Sequence, residues 1–285
     1  MLVQKEVDGF KMNLSINDGG ISRVLYHQGG RERAFMSLLN DTVKDGMVCL
    51  DLGGNIGYTT LPMLRNVGKG GFVYAVEPDS QSIGILRKNV QDNDYSDRCE
   101  ITQCAISDHD GIETFWEASK PNLSSVKKNK YSTTKKEVPC FSLNTFLADR
   151  RYPNFIKMDV EGHEVKIFEG GLDYFSQNKG HTNILLEVHP QFYGEDNDFA
   201  KVLKEYFKMG FKPKFVISTP VPQPILFKER GYEPFQEVPT DGVVRGIYDN
   251  IKEEDLIDFA CKENLETSGR KHSKKIVRSF MLKRG

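Results

Sequence analysis

The sequence DLGGNIG, residues 51–57, decides the fold. Its first two residues end the apolar run Met47 to Leu52, which predicts a buried strand. A helical pattern follows directly over Tyr58 to Asn66. Its three glycines let the backbone turn sharply and let a ligand approach where any Cβ would collide. The helix that follows offers free backbone N–H groups and the positive end of its dipole to an anionic group. We therefore expect a binding site where this strand ends.

Apolar runs rich in Val, Ile and Phe alternate with helical patterns along the rest of the chain. The runs that predict further strands are Phe72 to Glu77, Cys99 to Ile106, Ile112 to Trp116, Glu137 to Phe141, Phe155 to Val160, Ile184 to Val188 and Phe215 to Ser218. The patterns that predict helices are Ser80 to Gln91, Leu143 to Ala148, Val165 to Phe175, Phe199 to Met209 and Asp255 to Cys261. This alternation predicts an α/β fold with a doubly wound, mostly parallel, Rossmann-like sheet. Ile276 to Leu282 is expected to close the sheet as an antiparallel strand at an edge or hairpin position.

The chain is expected to form one main domain over residues 47–285, preceded by a prelude over 1–46 that packs on the sheet. Arg33 to Leu39 is a predicted helix of that prelude. From Thr219 to Gly246 the pattern loses its periodicity and carries five prolines. We therefore predict a loop-rich insertion, with residues 219–270 forming a lid or an acceptor-specificity element.

The charges of the chain nearly balance, with 39 Lys and Arg against 40 Asp and Glu and a formal net charge of −1. This balance gives no global electrostatic reason to expect a nucleic-acid binder. Hydrophobic residues make up 38% of the chain, which is too many for a disordered protein. The segment Lys120 to Lys136 holds six lysines among Ser, Asn and Thr. We expect a solvated mobile loop there, with contact to a polyanion as the alternative.

Three further expectations concern the cellular setting. The longest uncharged stretches, Leu52 to Leu64 and Phe215 to Phe227, are well short of the roughly 20 residues that span a bilayer. The N-terminus MLVQKEVDGF has no basic segment followed by an apolar run, so we expect no secretory signal peptide. The five cysteines show no CxxC spacing, which favours reduced thiols, a cytoplasmic location and no zinc site.

Two acidic residues indicate which ligand the glycine turn holds. Glu77 ends the next predicted strand about 20 residues after Gly57, where a doubly wound fold places the acid that binds the ribose hydroxyls of a nucleoside cofactor. Asp51 stands two residues before the first glycine, and a dinucleotide fingerprint has no role for an acid there. A carboxylate at that place suits the cationic amino group of S-adenosylmethionine. The alternative is a glycine-rich turn with no ligand.

With these residues the sequence resembles the class I S-adenosylmethionine methyltransferases, and specifically the FkbM family. The resemblance lies in CLDLGGNIGYTTL (49–61), VYAVEPDS (73–80), LRKNVQDND (86–94), CAISDHDG (104–111), FIKMDVEGHEVKIFEGG (155–171) and LLEVH (185–189). It implies a transferase that binds S-adenosylmethionine and releases S-adenosylhomocysteine. The cofactor-binding residues that it implies are Asp51, Gly53, Asn55 and Gly57 for the methionine part, Glu77 and Pro78 at the ribose, Ala105 and Ile106 at the adenine, and Asp159. One departure is Leu143-Asn144, where the family usually has leucine and aspartate; we interpret Asn144 as a helix cap.

A second cluster of acids and imidazoles follows the fourth and fifth core strands. Because those strands are expected to be neighbours, their carboxyl ends meet at the edge where open α/β folds bind ligands. Methyl transfer requires alignment and a base for the acceptor proton. The candidate catalytic residues are Asp159, Glu161, His163 and His189.

Two other interpretations of this cluster stay open. Asp159 and Glu187 could ligate a divalent metal, which we do not favour. Alternatively, Asp159 and Glu161 cap the helix that follows and pair with Lys157.

The resemblance implies an O-methyltransferase that acts on a hydroxyl of a sugar, a glycan or a small natural product. A nucleic-acid methyltransferase is the nearest alternative. An exocyclic-amine methylase would carry a D/N-P-P-Y/F motif where this chain reads Asp159-Val160-Glu161-Gly162, and that carboxylate pair repels a phosphate backbone. We therefore expect a small-molecule or glycan acceptor and no nucleic acid. A non-catalytic cofactor-binding module of the same fold is the other alternative, and the oligomeric state is left open.

Overall fold

The computed structural model describes residues 1–16, 19–120, 123–220, 223–262, 266–267, 270–271 and 276–285. The chain begins with a hairpin of β1 (Leu2–Val7) and β2 (Phe10–Ser15), which pair antiparallel. Asp8 and Gly9 form its two-residue turn with φ of 50° and 84°, the left-handed backbone that an Asp-Gly hairpin turn requires. Helices α1 (Ile21–Gln28) and α2 (Arg33–Thr42) follow, so the predicted helix of the prelude is confirmed.

The central part of the chain alternates strands and helices. Its elements are β3 (Val48–Leu52), α3 (Thr60–Asn66), β4 (Phe72–Val76), α4 (Ser80–Asp92), β5 (Cys99–Thr102), β6 (Ala105–Ser107), β7 (Gly111–Ala118), β8 (Ser132–Ser142), α5 (Leu143–Leu147), β9 (Phe155–Met158), α6 (Glu164–Gly170), α7 (Leu172–Gln177) and β10 (Thr182–Glu187). The elements after them are α8 (Phe199–Lys208), β11 (Lys212–Ser218), α9 (Gln223–Glu229), β12 (Gln236–Thr240), β13 (Val243–Tyr248), α10 (Glu253–Cys261), β14 (Glu266–Thr267), β15 (Arg270–Lys271) and β16 (Val277–Arg284).

A nine-stranded sheet organises the molecule in the order β12-β13-β11-β16-β10-β9-β3-β4-β5. The five strands from β10 to β5 are parallel, and β16, β11, β13 and β12 add to them antiparallel. Strands β3, β9 and β10 are buried along their whole length, as expected for parallel strands covered on both faces. The predicted doubly wound α/β fold with an antiparallel closing strand is confirmed.

The order of the parallel strands fixes where a ligand binds. The chain runs from β3 outward to β4 and β5, and then returns to the other side of β3 with β9 and β10. Leu52 at the end of β3 lies opposite Val76 of β4 and Met158 of β9. A doubly wound sheet opens a crevice at such a switch point, outside the carboxyl ends of the strands.

The closing strand β16 differs from its predicted position, because it lies inside the sheet between β10 and β11 instead of at an edge. Its charges suggested an edge, but they sit at its ends and find partners there. Arg284 donates to the backbone oxygen of Phe175 at 2.7 Å and to the hydroxyl oxygen of Tyr152 at 3.0 Å. These hydrogen bonds to neutral oxygens offset part of the cost of burying the guanidinium at the end of an interior strand.

The segment from Thr219 to Gly246 is also more regular than predicted. It contains α9 and β12 and begins β13, and the two strands extend the main sheet. Pro239 is tolerated because β12 is the outermost strand, where a residue without an N–H breaks no inner pairing. Part of the predicted lid, residues 221–222, 263–265 and 268–269, lies outside the described residues.

A second, three-stranded sheet with the order β6-β8-β7 packs beside the crevice. The predicted strand Cys99 to Ile106 is divided between the two sheets, because β5 pairs with β4 and β6 pairs with β8.

Among the described residues, none of the helices has the length and apolar character of a membrane-spanning segment.

Candidate cofactor-binding and catalytic site

An open cleft lies at the carboxyl ends of β3, β4, β9 and β10, with roughly 1120 Å³ of empty space between its walls. Part of that space is continuous with solvent, so an acceptor can approach a bound cofactor from outside. Ten of the residues singled out in the sequence line the cleft: Gly53, Asn55, Glu77, Pro78, Ala105, Ile106, Asp159, Glu161, His163 and Glu187. Three others, Asp51, Gly57 and His189, lie behind its lining.

The glycine turn forms the floor of the cleft. Gly53 has φ of 78°, and a Cβ there would lie 2.0 Å from the backbone oxygen of Asp159. Glycine is therefore required where the ends of β3 and β9 meet. Gly57 has φ of 94° and faces Leu86 of α4, whose methyl group would lie 2.9 Å from an added Cβ. Glycine at this position allows close packing against α4, and the predicted contact of Gly57 with the cofactor stays a prediction.

Glu77 connects the glycine turn to the start of α4. Its two carboxylate oxygens accept hydrogen bonds from the backbone N–H groups of Asn55 and Asp79, each at 2.7 Å. Asp79 in turn caps α4 by accepting from the N–H groups of Gln81 and Ser82. Burial raises the pKa of Glu77 to about 7, since a charged carboxylate loses its hydration there. Each oxygen keeps a lone pair for a further donor from the cleft.

Asp51 has a different partner from the predicted one. Its carboxylate is fully buried and lies 3.1 Å from the Nζ of Lys157, and the hydroxyl of Thr60 donates to it at 2.7 Å. Lys157 also donates to the backbone oxygen of Gly53 at 2.6 Å. Burial alone would lower the pKa of Lys157, but the nearby carboxylates of Asp51 and Asp159 raise it, so the lysine stays charged. The pair therefore supports the glycine turn from beneath.

The second predicted cluster is brought together beside the turn. The Nε2 of His189 lies 3.4 Å from an oxygen of Glu161 and 3.5 Å from an oxygen of Glu187. Its Nδ1 contacts the buried carboxylate of Glu164, which fixes the orientation of the ring. Arg278 of β16 reaches the same group, with its Nη1 2.5 Å from Glu187.

His163 is separate from this group. Its Nε2 lies 2.9 Å from the hydroxyl oxygen of Ser107, and its ring is buried. Burial, with a smaller contribution from the charge of Lys127, lowers the pKa of His163 to about 4, so the ring is neutral at physiological pH. His163 is also the N-cap residue of α6, which removes the alternative that Asp159 or Glu161 caps that helix.

The carboxylates of the cluster hold protons unusually tightly. Burial, and then the charge of Asp159, raises the pKa of Glu161 to about 8. Burial, and then the charge of Glu187, raises the pKa of Asp159. Glu161 also has a left-handed backbone with φ of 49°, which is strained for a residue with a side chain. Perturbed carboxyls at a cleft are typical of a site that transfers protons.

The methyltransferase FkbM domain matches residues 51–213, more than half of the chain. The chain belongs to the FkbM methyltransferase family. It is an S-adenosylmethionine-dependent enzyme, as the resemblance implied, and the matched range begins at the glycine turn and includes the acid and imidazole cluster.

Similar proteins include the tRNA wybutosine-synthesizing protein 2 homolog of Rattus norvegicus, which is 45% identical over 56 residues, or 20% of this chain and 13% of that protein. The Homo sapiens homolog is 43% identical over 56 residues, or 20% of this chain and 12% of that protein. The aligned part thus spans about an eighth of the length of these curated relatives.

A similar solved structure is the FkbM methyltransferase of Methylobacillus flagellatus KT, which is 15% identical with a TM-score of 0.43 and covers 71% of this chain and 43% of that chain. Another is M. jannaschii TYW2 in complex with AdoMet, which is 15% identical with a TM-score of 0.40. The match covers 88% of this chain and 87% of that chain. The family assignment rests on the domain match.

The expectation of an acceptor other than a nucleic acid is wrong, because the curated relatives of this FkbM-family chain are named for tRNA modification. The expectation rested on the residues at 159–162, which lack the D/N-P-P-Y/F motif and carry two carboxyl groups, and on the net charge of −1, which averages over the whole surface. It gave too little weight to the six lysines from Lys120 to Lys136, a segment without any acidic residue. A local positive surface can bind a polyanion on a neutral protein.

The sequence did not indicate the part of the cleft that comes from the N-terminal prelude. Arg31, Glu32 and Phe35 line it, and Arg31 forms an ion pair with Glu32. Tyr58 holds this segment in place, because its hydroxyl lies 2.9 Å from both the backbone oxygen of Arg31 and a carboxylate oxygen of Asp8. In the sequence, Tyr58 directly after the glycine turn is the one residue that could have indicated this contact with the prelude.

Asp159, Glu187 and His189 could also hold a metal ion, because their donor atoms all lie within 4.8 Å of one another. The chain supplies its own cation there, since the guanidinium of Arg278 already neutralises Glu187.

Asn144 is exposed on α5, and the hydroxyl of Ser142 caps that helix by accepting from the backbone N–H of Thr145. Asn144 is therefore not the cap that we predicted.

Proposed function

We propose that this FkbM-family enzyme transfers the methyl group of S-adenosylmethionine to a hydroxyl of an RNA, with tRNA as the first acceptor to test. The observation that carries the proposal is that Glu161, with a pKa of about 8, stands in the cleft next to the glycine turn. The RNA acceptor is supported by the names of the curated relatives.

The cofactor is proposed to lie along the ends of β3 and β4. The ribose hydroxyls donate to Glu77, and the adenine lies against Ile106 and Phe115, two residues of the small sheet that line the cleft. The methionine part lies over Gly53, where the backbone approaches most closely. This order places the sulfonium beside Asp159.

Because Asp51 is enclosed, other groups must receive the amino acid part of the cofactor. We propose that the guanidinium of Arg31 binds its carboxylate, since Arg31 lines the cleft and its side chain is 22% exposed. The ammonium group is assigned to Asp159, whose Oδ1 has no hydrogen-bond partner among the described residues.

Glu161 is proposed as the base that accepts the hydroxyl proton. Its side chain is 25% exposed, whereas those of His189 and Glu187 are 4% and 6% exposed, so Glu161 is the member of the cluster that an acceptor can reach. As the acceptor oxygen bonds to the methyl carbon, the carbon–sulfur bond breaks and its electron pair stays on sulfur. The proton passes to Glu161, and His189 behind it stabilises the carboxylate before transfer.

Incubation of the full chain with methyl-labelled S-adenosylmethionine and total tRNA tests the proposal. We expect label in the RNA, and a loss of about 10²–10⁴-fold in rate for Glu161→Gln. Glu195→Gln, at an exposed carboxylate outside the cleft, is the matched control and should react at the normal rate. Label found in sugars or small molecules and never in RNA would refute the RNA acceptor.

We also propose a cytoplasmic location. All five cysteines are free thiols, and Cys49, Cys104 and Cys140 are buried. Unpaired thiols persist in reducing compartments. Fractionation of cells that produce the tagged chain tests this, and recovery outside the cytoplasm would contradict it.

A further inference from the structure

We infer that the phosphate backbone of the acceptor RNA binds a lysine wall beside the cleft. We use this name for the six lysines of β7–β8 and the segment that joins them, namely Lys120, Lys127, Lys128, Lys130, Lys135 and Lys136. The inference rests on the proposed function and adds to it the surface that selects the substrate.

The charge of the lysine wall is strongly positive. No acidic residue occurs between Ser119 and Lys136, and five of the wall's lysines are exposed, namely Lys120, Lys128, Lys130, Lys135 and Lys136. Within the part of the chain that the structure describes, Lys136 is the member with an ion-pair partner, Glu117 at 2.5 Å. A cluster of such ammonium groups binds phosphates and releases their counterions.

The wall is continuous with the cleft. Ser124, Ser125 and Val126, which precede its central lysines, line the cleft itself. Ser125 pairs with Trp116 through two backbone hydrogen bonds of 2.8 and 3.0 Å, and its hydroxyl donates to the backbone oxygen of Glu161 at 2.8 Å. The same short segment therefore touches the proposed base and carries the lysines.

Aromatic rings lie among these lysines. The Nζ of Lys128 lies 4.8 Å from the ring centroid of Trp116, and those of Lys120 and Lys130 lie 5.3 and 5.1 Å from that of Tyr131. Surfaces that bind single-stranded nucleic acids combine cations for the phosphates with aromatic rings for the bases. The wall has both components, which a surface for a simple anion would not need.

The lysine wall and the reacting end of the cleft differ in charge. The carboxyl groups of Asp159 and Glu161 offer no positive charge to a phosphate, whereas the lysines attract phosphates. An RNA on the wall would thus keep its backbone outside and place only the acceptor nucleotide near Glu161. This separation reconciles an acidic reaction site with a polyanionic substrate.

A triple charge reversal tests the inference. In the Lys120→Glu, Lys128→Glu, Lys130→Glu variant, we expect the Kd for tRNA, measured by fluorescence anisotropy, to rise at least tenfold. The slope of log K against log salt should fall by about 2–3, since three phosphate contacts are lost. The matched control reverses three exposed lysines of α8, Lys201, Lys204 and Lys208, none of which lines the cleft. It has the same net charge, and its Kd should stay within twofold of the wild type.

Binding of S-adenosylmethionine by calorimetry shows that the variants are folded and should not change. If glutamate disturbs the local structure, the same three lysines are changed to Ala, which should weaken tRNA binding in the same direction. Trp116 is the sole tryptophan, so its emission should change when tRNA binds the wild type.

The outcomes separate the two proposals. A wild type that binds and methylates tRNA, with wall variants as tight as the wild type, overturns the lysine wall and leaves the function standing. A wild type that binds S-adenosylmethionine but neither binds nor methylates RNA overturns the RNA acceptor, and the wall with it.

Discussion

Replacing Glu77 by Gln should remove most of the pH dependence of cofactor binding. In the unliganded protein, burial raises the pKa of Glu77 to about 7, so the protonated form is favoured well above the usual range of a carboxyl. Ribose hydroxyls donate to the ionised form, so binding lowers this pKa and weakens as the pH falls through 7. With half of the carboxyl ionised at pH 7 and about a tenth at pH 6, the wild-type Kd should be roughly tenfold weaker at pH 6 than at pH 8.

The size of the loss at high pH follows from the contacts. The ribose hydroxyls donate to a charged carboxylate in the wild type, whereas Glu77→Gln offers them one neutral amide oxygen, which the backbone N–H groups of Asn55 and Asp79 also need. Losing a hydrogen bond to a charged group costs about 1.5–3 kcal/mol, so Glu77→Gln should bind roughly 10- to 150-fold more weakly at pH 8.

Calorimetry with S-adenosylhomocysteine between pH 6 and 8 measures both effects. This product is preferable to the cofactor because it lacks the sulfonium, which would also respond to the acids near Asp159. Circular dichroism shows whether the variant is folded. A wild-type affinity that does not change with pH, or a variant with the same pH profile as the wild type, would refute the ribose role of Glu77.

Four other outcomes are expected. Glu161→Gln should leave the Kd for S-adenosylmethionine within about threefold, and the wild-type rate in single-turnover assays should rise with pH and level off above about 8, because the base must be ionised. Asp51→Asn should lower stability by about 3–5 kcal/mol in denaturant titrations although it lies outside the cleft, because the buried ammonium of Lys157 is left unpaired; unchanged stability would contradict the pairing. Gly53→Ala should weaken cofactor binding more than tenfold by calorimetry, whereas Gly46→Ala, at the same φ of 78° with nothing within 4 Å of the added Cβ, should not. EDTA should leave methyl transfer unchanged, because a guanidinium already supplies the positive charge of the cluster; lost activity that a divalent ion restores would contradict this.

The parts of the fold that local sequence determines were predictable. The glycine turn after β3 could be located because an apolar run, three glycines and a helical pattern stand next to each other. The position of Glu77 followed from the regular length of one βαβ unit. These features depend on neighbours in the chain.

The features that depend on distant neighbours were not predictable. Asp51 was expected to face a ligand, but β3 and β9 pair in a register that places Lys157 directly opposite it. The side chain of Asp51 therefore has a partner that no local pattern reveals. In the same way, β16 comes from the end of the chain and inserts between β10 and β11, which brings Arg278 to Glu187.

The candidate site was predicted as a set of residues and not as an arrangement. The cluster of Asp159, Glu161 and His189 was expected because β9 and β10 end side by side, and they do. The sequence did not predict that His163 lies apart from this cluster, since its position depends on a contact with Ser107 of the small sheet. The contribution of Arg31 required the hydroxyl of Tyr58 to hold the prelude over the cleft, a contact between segments that the sequence shows as unrelated.

A crystal structure of the full chain with S-adenosylhomocysteine tests the central claim most directly. The account predicts both ribose hydroxyls within hydrogen-bonding distance of Glu77, the sulfur beside Asp159 and the carboxylate at Arg31. An adenosyl group bound outside this cleft, or bound with its ribose turned away from Glu77, would contradict it.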